Sequence, residues 1–140
     1  MSKRTIGEVA DLVGVDLETL RYYERIGLMK SPPRTKGGHR NYQDADIRRL
    51  RFIRRARDVG FSIEDVRTLI AFSRAENKPC GNVLELALSN LEKIRAKRKQ
   101  LEQMEQVLSQ AASSCSGGDA AFCSILAFLD GEAEAGAAAR

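Results

Sequence analysis

From residue 82 to residue 112 the chain runs for about eight helical turns without a glycine or a proline. Leu84, Leu88, Leu91, Ile94, Leu101, Met104 and Leu108 recur along this stretch at intervals of three and four, and Arg98 fills the one missing place. The mean interval is close to the ~3.5-residue repeat of a coiled coil. A helix of this length with one apolar seam cannot bury the seam on itself, so it needs a partner. The simplest partner is the same helix of a second subunit. In a chain of 140 residues, such an element leaves room for one small further domain.

That further domain is expected in the front half, and charge says what it meets. Residues 1–60 carry 14 Lys/Arg against 8 Asp/Glu, whereas residues 61–140 carry 9 against 11. A basic front half joined to a mildly acidic rear half suggests a polyanion-binding module. Its local pattern begins with Thr5 and Glu8, which fit a capping box, followed by Ile6, Val9, Ala10 and Val13 on one helical face. Gly14 ends this helix, and Asp16 is placed to cap a second over residues 17–26, with Leu20 and Tyr23 turned inward. Two short helices joined by a tight turn read as a helix-turn-helix. Arg21, Tyr22 and Arg25 on the second helix are then candidates for phosphate or base contacts.

Gly27 stops that helix, and residues 29–43 bring two prolines, a Gly-Gly pair and a concentration of cations. The composition forbids a helix and points to a β-hairpin wing, with Arg34, Lys36, His39 and Arg40 on it. A recognition helix with a basic wing beside it gives two anchoring points on DNA. Asp44 is placed to cap a third helix with Ile47, Leu50, Ile53 and Ala56 inward, and Ser62 with Asp65 opens a fourth carrying Ile63, Val66 and Ile70. The expected fold class is mainly α: a winged helix-turn-helix domain over residues 1–76, a hinge and dimerisation helix over 77–112, a loop and short helix over 113–130, and an unstructured tail over 131–140.

Three cysteines, an odd number, argue against a disulfide framework. Cys80 precedes the long helix, while Cys115 and Cys123 bracket the loop after it. A helix of about thirty residues separates its two ends by ~45 Å, so one subunit does not easily gather all three thiols. In an antiparallel pair, Cys80 of one subunit would meet Cys115 and Cys123 of the other. Three thiolates suit a soft, thiophilic ion. The alternative is that the cysteines are simply buried small residues. A cysteine nucleophile would want a nearby histidine base, and the single histidine, His39, belongs to the wing, so an enzyme is not expected. The chain has no apolar run long enough to cross a membrane and no apolar leader, so a cytoplasmic protein is expected.

The segments Thr5-Ile6-Gly7-Glu8-Val9-Ala10, Thr19-Leu20-Arg21-Tyr22-Tyr23-Glu24-Arg25-Ile26-Gly27-Leu28, Arg40-Asn41-Tyr42 and Gly60-Phe61-Ser62-Ile63-Glu64-Asp65-Val66 together resemble the signature of the mercury-resistance (MerR) type of transcription regulator. The resemblance implies a homodimer on double-stranded promoter DNA, with Arg21, Tyr22 and the wing residue Arg40 touching the duplex, and Thr19 stands as a further candidate contact. It also implies a device in which metal binding bends and untwists the DNA so that RNA polymerase engages, which is indirect readout coupled to a ligand. Mercury sensors of the family place cysteines at positions matching Cys80, Cys115 and Cys123, and copper(I) sensors carry serine at the first. Cys115 and Cys123 are eight positions apart, a spacing shorter than the mercury sensors' and similar to the copper sensors'. Hg(II) therefore leads, with Pb, Cd, Zn and Cu(I) as the other thiophilic ions, and a regulator that senses no metal as the remaining alternative.

Overall fold

A computed structural model describes residues 4–31, 41–115 and 123–131. Its helices are α1 (Ile6–Val13), α2 (Leu17–Arg25), α3 (Asp44–Asp58), α4 (Ile63–Arg74), α5 (Cys80–Ser113) and α6 (Ser124–Leu129). The chain divides into two compact units, Met1–Ala87 and Leu88–Arg140.

In the first unit the expected inward faces form one aliphatic core. Val9 and Val13 of α1, Leu20 and Tyr23 of α2, Ile47, Leu50 and Ile53 of α3, and Val66 and Ile70 of α4 are all buried in it. Each large side chain removed from water contributes about 1.5–3 kcal/mol before entropy is counted. The helix ends follow local chemistry. Thr5 and Glu8 form the capping box of α1, and Ser62 with Asp65 forms that of α4. Gly14 takes a left-handed φ of 80° after α1, a conformation that an L side chain adopts only with strain.

Two aspartates act differently from their expected capping role. Asp16 stands at the N-cap of α2, but its side chain makes no capping bond. At α3 the cap is Gln43, whose N–H donates to Asp46 Oδ2 at 2.8 Å, and Asp44 is the first helical residue. An acid in the first turn still favours the positive end of the helix dipole.

Of the expected wing, residues 32–40 lie outside the described residues. The described chain shows its base: Arg4 and Tyr42 form an isolated antiparallel bridge, with N–H···O distances of 3.2 and 2.9 Å. Among the described residues there is no longer strand. Tyr42 is completely buried and donates its hydroxyl hydrogen to Glu24 Oε2 at 2.5 Å, which ties the wing base to α2.

Helix α5 begins at Cys80, two residues earlier than its apolar pattern indicates. Pro79 accepts at the helix start, from Val83 N–H at 3.0 Å. The first N–H groups of a helix have no internal partner, so a proline there sacrifices no bond. Along α5 the seam residues other than the half-buried Leu91 stay in solvent, from 43% exposed at Ile94 to 61% at Leu101. In the second unit α6 is pinned to the end of α5 by Ser124 Oγ, which donates to the Ala111 carbonyl at 2.7 Å, and Ala111 and Ala127 are buried. Among the described residues no helix is long and apolar enough to cross a membrane.

Candidate functional site

The candidate nucleic-acid face is the outer side of α2. With Leu20 and Tyr23 buried, the 100° helical step leaves Arg21, Tyr22 and Arg25 outside. The guanidinium of Arg25 lies 5.8 Å from the Tyr22 ring centroid, and Arg21 is 3.7 Å from Glu18. Both are exposed contacts of small energetic weight, so the arginines remain available to an outside anion. Thr19 is half-buried on the same helix. The wing residues Arg34, Lys36, His39 and Arg40 lie outside the described residues.

Two further arginines, which the sequence shows only as part of a charged helix face, hold this helix pair in place. Arg54 of α3 donates to the Val13 carbonyl at the end of α1, and Arg67 of α4 donates to the Ile26 carbonyl at the end of α2. The last carbonyls of a helix lack partners within it, and a cation there also meets the negative end of the dipole. A Cβ on Gly14 would collide with the Arg54 guanidinium, so glycine serves the clamp as well as the turn. Each arginine lies 41 residues from its acceptor, a separation that no local pattern can reveal.

The thiols are divided. Cys115 follows the end of α5, donating its N–H to the Ala112 carbonyl at 3.1 Å, and Cys123 is the N-cap of α6. Both are half-buried, and the Cys115 thiol lies near enough to Cys123 to favour its ionised form. The Cys123 thiol is held below its ordinary value, chiefly by the Leu126 N–H. Desolvation acts against this shift, and the Ile125 N–H and the Cys115 thiol add to it. A thiol that ionises readily beside a second thiol is a soft donor pair, which fits a thiophilic ion. Cys80 is exposed at the first position of α5 and lines an apolar groove with Phe52, Leu69, Phe72, Pro79 and Val83. Among the described residues, no three potential ligands come together within the chain.

Comparison with known proteins decides the family. The family model described as MerR HTH family regulatory protein matches residues 4–72, and the one described as MerR, DNA binding matches residues 47–111. The chain is 37% identical over 121 residues to heavy metal-dependent transcription regulator 2 of Rhizobium meliloti, covering 86% of this chain and 82% of that one. The chain belongs to the MerR family. Like other MerR proteins it is a DNA-binding transcription regulator and not an enzyme. Among solved MerR-type structures it is similar to the regulator PbrR691 of Ralstonia metallidurans in complex with lead(II), at a TM-score of 0.69 and 31% identity over 89% of this chain and 97% of that one. It is also similar to the MerR of Bacillus megaterium in complex with mercury(II), at a TM-score of 0.64 and 30% identity over 91% and 99% of the two chains.

Proposed function

We propose that this protein is a metal-responsive regulator that binds promoter DNA as a homodimer and activates metal-resistance genes when a thiophilic ion is bound. The observation that carries the reading is the Cys115–Cys123 thiol pair, which stands after the end of a helix whose apolar seam is exposed. Pairing that seam with its copy in an antiparallel coiled coil supplies Cys80 of the partner subunit as the third sulfur. It also makes dimerisation and metal binding one event. The relatives named for heavy metals, lead and mercury support the ion class. Three thiolates around a divalent ion leave a single excess negative charge, a modest burial cost, and the match of the three cysteines to the family's mercury sensors puts Hg(II) first, with Pb, Cd and Zn behind it. On DNA, Arg21, Tyr22 and Arg25, with Thr19 and the wing residues Arg34, Lys36, His39 and Arg40, hold the duplex. RNA polymerase acts on the promoter so shaped.

A second reading, Cu(I), rests on one observation: the Cys115 thiol is near enough to act on the Cys123 thiol within one chain, and Cu(I) can be held by two sulfurs. A competition titration of the reduced protein with Hg(II), Pb(II), Cd(II), Zn(II) and Cu(I), followed by thiolate-to-metal absorbance in the ultraviolet, tests both. Saturation by Hg(II) that is lost in Cys80→Ser supports the three-thiolate site. A preference for Cu(I) that survives Cys80→Ser supports the two-thiolate site. Absence of any binding refutes the metal reading and leaves a DNA-binding regulator with packed cysteines.

A further inference from the structure

A cavity of about 210 Å³ opens where the end of α2 meets α3 and α4. At about 30 Å³ for a water's share of liquid, it accepts a group of several atoms. Arg49 of α3 and Arg67 and Arg74 of α4 line it, together with Gly27 and the apolar Leu28 and Ile70. Arg67 is fixed there by its bond to the Ile26 carbonyl. Gly27 borders it at a φ of 77°, a left-handed conformation that an L side chain adopts only with strain. Among the described residues none of the three arginines is in an ion pair.

Arg49 is half-buried. Burial first, and then the charge of Arg74, hold its guanidinium below its ordinary value, while Asp46 pulls the other way. Like charges gathered around one concavity repel; Asp46 offsets part of this at Arg49, and the lining residues Leu28, Ile70 and Gly27 carry no charge. An anion in the cavity would relieve that repulsion. Guanidinium forks match the oxygens of phosphate-type anions, two donors at a time.

We propose that Arg49, Arg67 and Arg74 form a binding site for a phosphate-type oxyanion, separate from the thiols and from the exposed face of α2. Because Arg67 also holds the end of α2, occupation of the site bears on the helix that meets DNA. The site is independent of the metal, so it stands or falls apart from the metal reading.

Calorimetric titration of the full chain with sodium phosphate, against sodium chloride at matched ionic strength, tests it. The expected result is a saturable phosphate response, about one phosphate per chain, with the thermal midpoint rising in parallel. Arg49→Gln and Arg74→Gln should each weaken it about tenfold or more, the weight of one charge-assisted hydrogen bond. Neither side chain has an ion-pair partner among the described residues, so both variants should keep the helical signal of the parent. A response no larger than that of chloride, or one unchanged in both variants, overturns the proposal. A non-specific DNA duplex then separates the two sources of the oxyanion. If the source is the DNA backbone, phosphate competes with the duplex, and Arg49→Gln lowers the salt slope of DNA binding by about one. If the source is free in solution, the DNA-bound protein still takes up phosphate and the slope is unchanged.

Discussion

Replacing Tyr42 by phenylalanine removes one hydrogen bond and almost no volume. Tyr42 is completely buried, and its hydroxyl donates to Glu24 Oε2 at 2.5 Å. A bond to a charged acceptor contributes about 1.5–3 kcal/mol. Glu24 is half-buried, so water can take over part of the lost bond and the lower end applies. The expected cost is about 1.5 kcal/mol, a little over tenfold in the unfolding equilibrium. Tyr42→Ala would lose the ring as well and should cost about 3–5 kcal/mol. Glu24 and Tyr42 both make further interactions, so single variants overstate the pair. A double-mutant cycle with Glu24→Ala, which removes the acceptor, isolates it, read by urea unfolding followed by circular dichroism at one fixed protein concentration. A coupling of about 1 kcal/mol or more is expected. A coupling below about 0.3 kcal/mol, the usual error of additivity, would show that the wing base is not tied to α2 through this bond.

Three other outcomes follow from the same structure. Arg54→Met keeps the stem but loses the donor to the Val13 carbonyl, so it should cost about 1 kcal/mol and weaken DNA binding by fluorescence anisotropy; unchanged affinity would remove Arg54 from the machinery that positions α2. Leu101→Glu puts a charge at the most exposed α5 seam position, 61% in solvent, and should convert dimer to monomer in sedimentation equilibrium while the α1–α4 core stays folded. A dimer that persists would mean that another surface joins the subunits. Alkylation of Cys123, mapped by peptide mass, should rise with pH through a midpoint below the ordinary thiol value, read on the same peptide of the unfolded chain, because the thiolate is stabilised in the fold. A midpoint at or above that value would refute the hydrogen-bonded thiolate.

What the amino-acid sequence determined by itself is what short-range chemistry can encode. The 3.6-residue periodicity of Val9 and Val13, of Ile47, Leu50 and Ile53, and of Val66 and Ile70 marked the buried faces before any coordinates, and those residues are buried. The Thr5–Glu8 and Ser62–Asp65 pairs marked two helix starts, because a capping box spans only three residues. The seam of α5 was legible too, and all of it but Leu91 lies exposed in the single chain. The tertiary structure decided what depends on distant groups meeting. Asp16 and Asp44 have the right chemistry for caps, yet Asp16 makes no capping bond and Asp44 is the first residue inside its helix. Arg54 and Arg67 look like any solvated cation of a charged face, and only packing brings them to carbonyls 41 residues away. The convergence of Arg49, Arg67 and Arg74 on one cavity is likewise a product of helix packing. A side chain's chemistry is written in the sequence, but its partners are chosen by the fold.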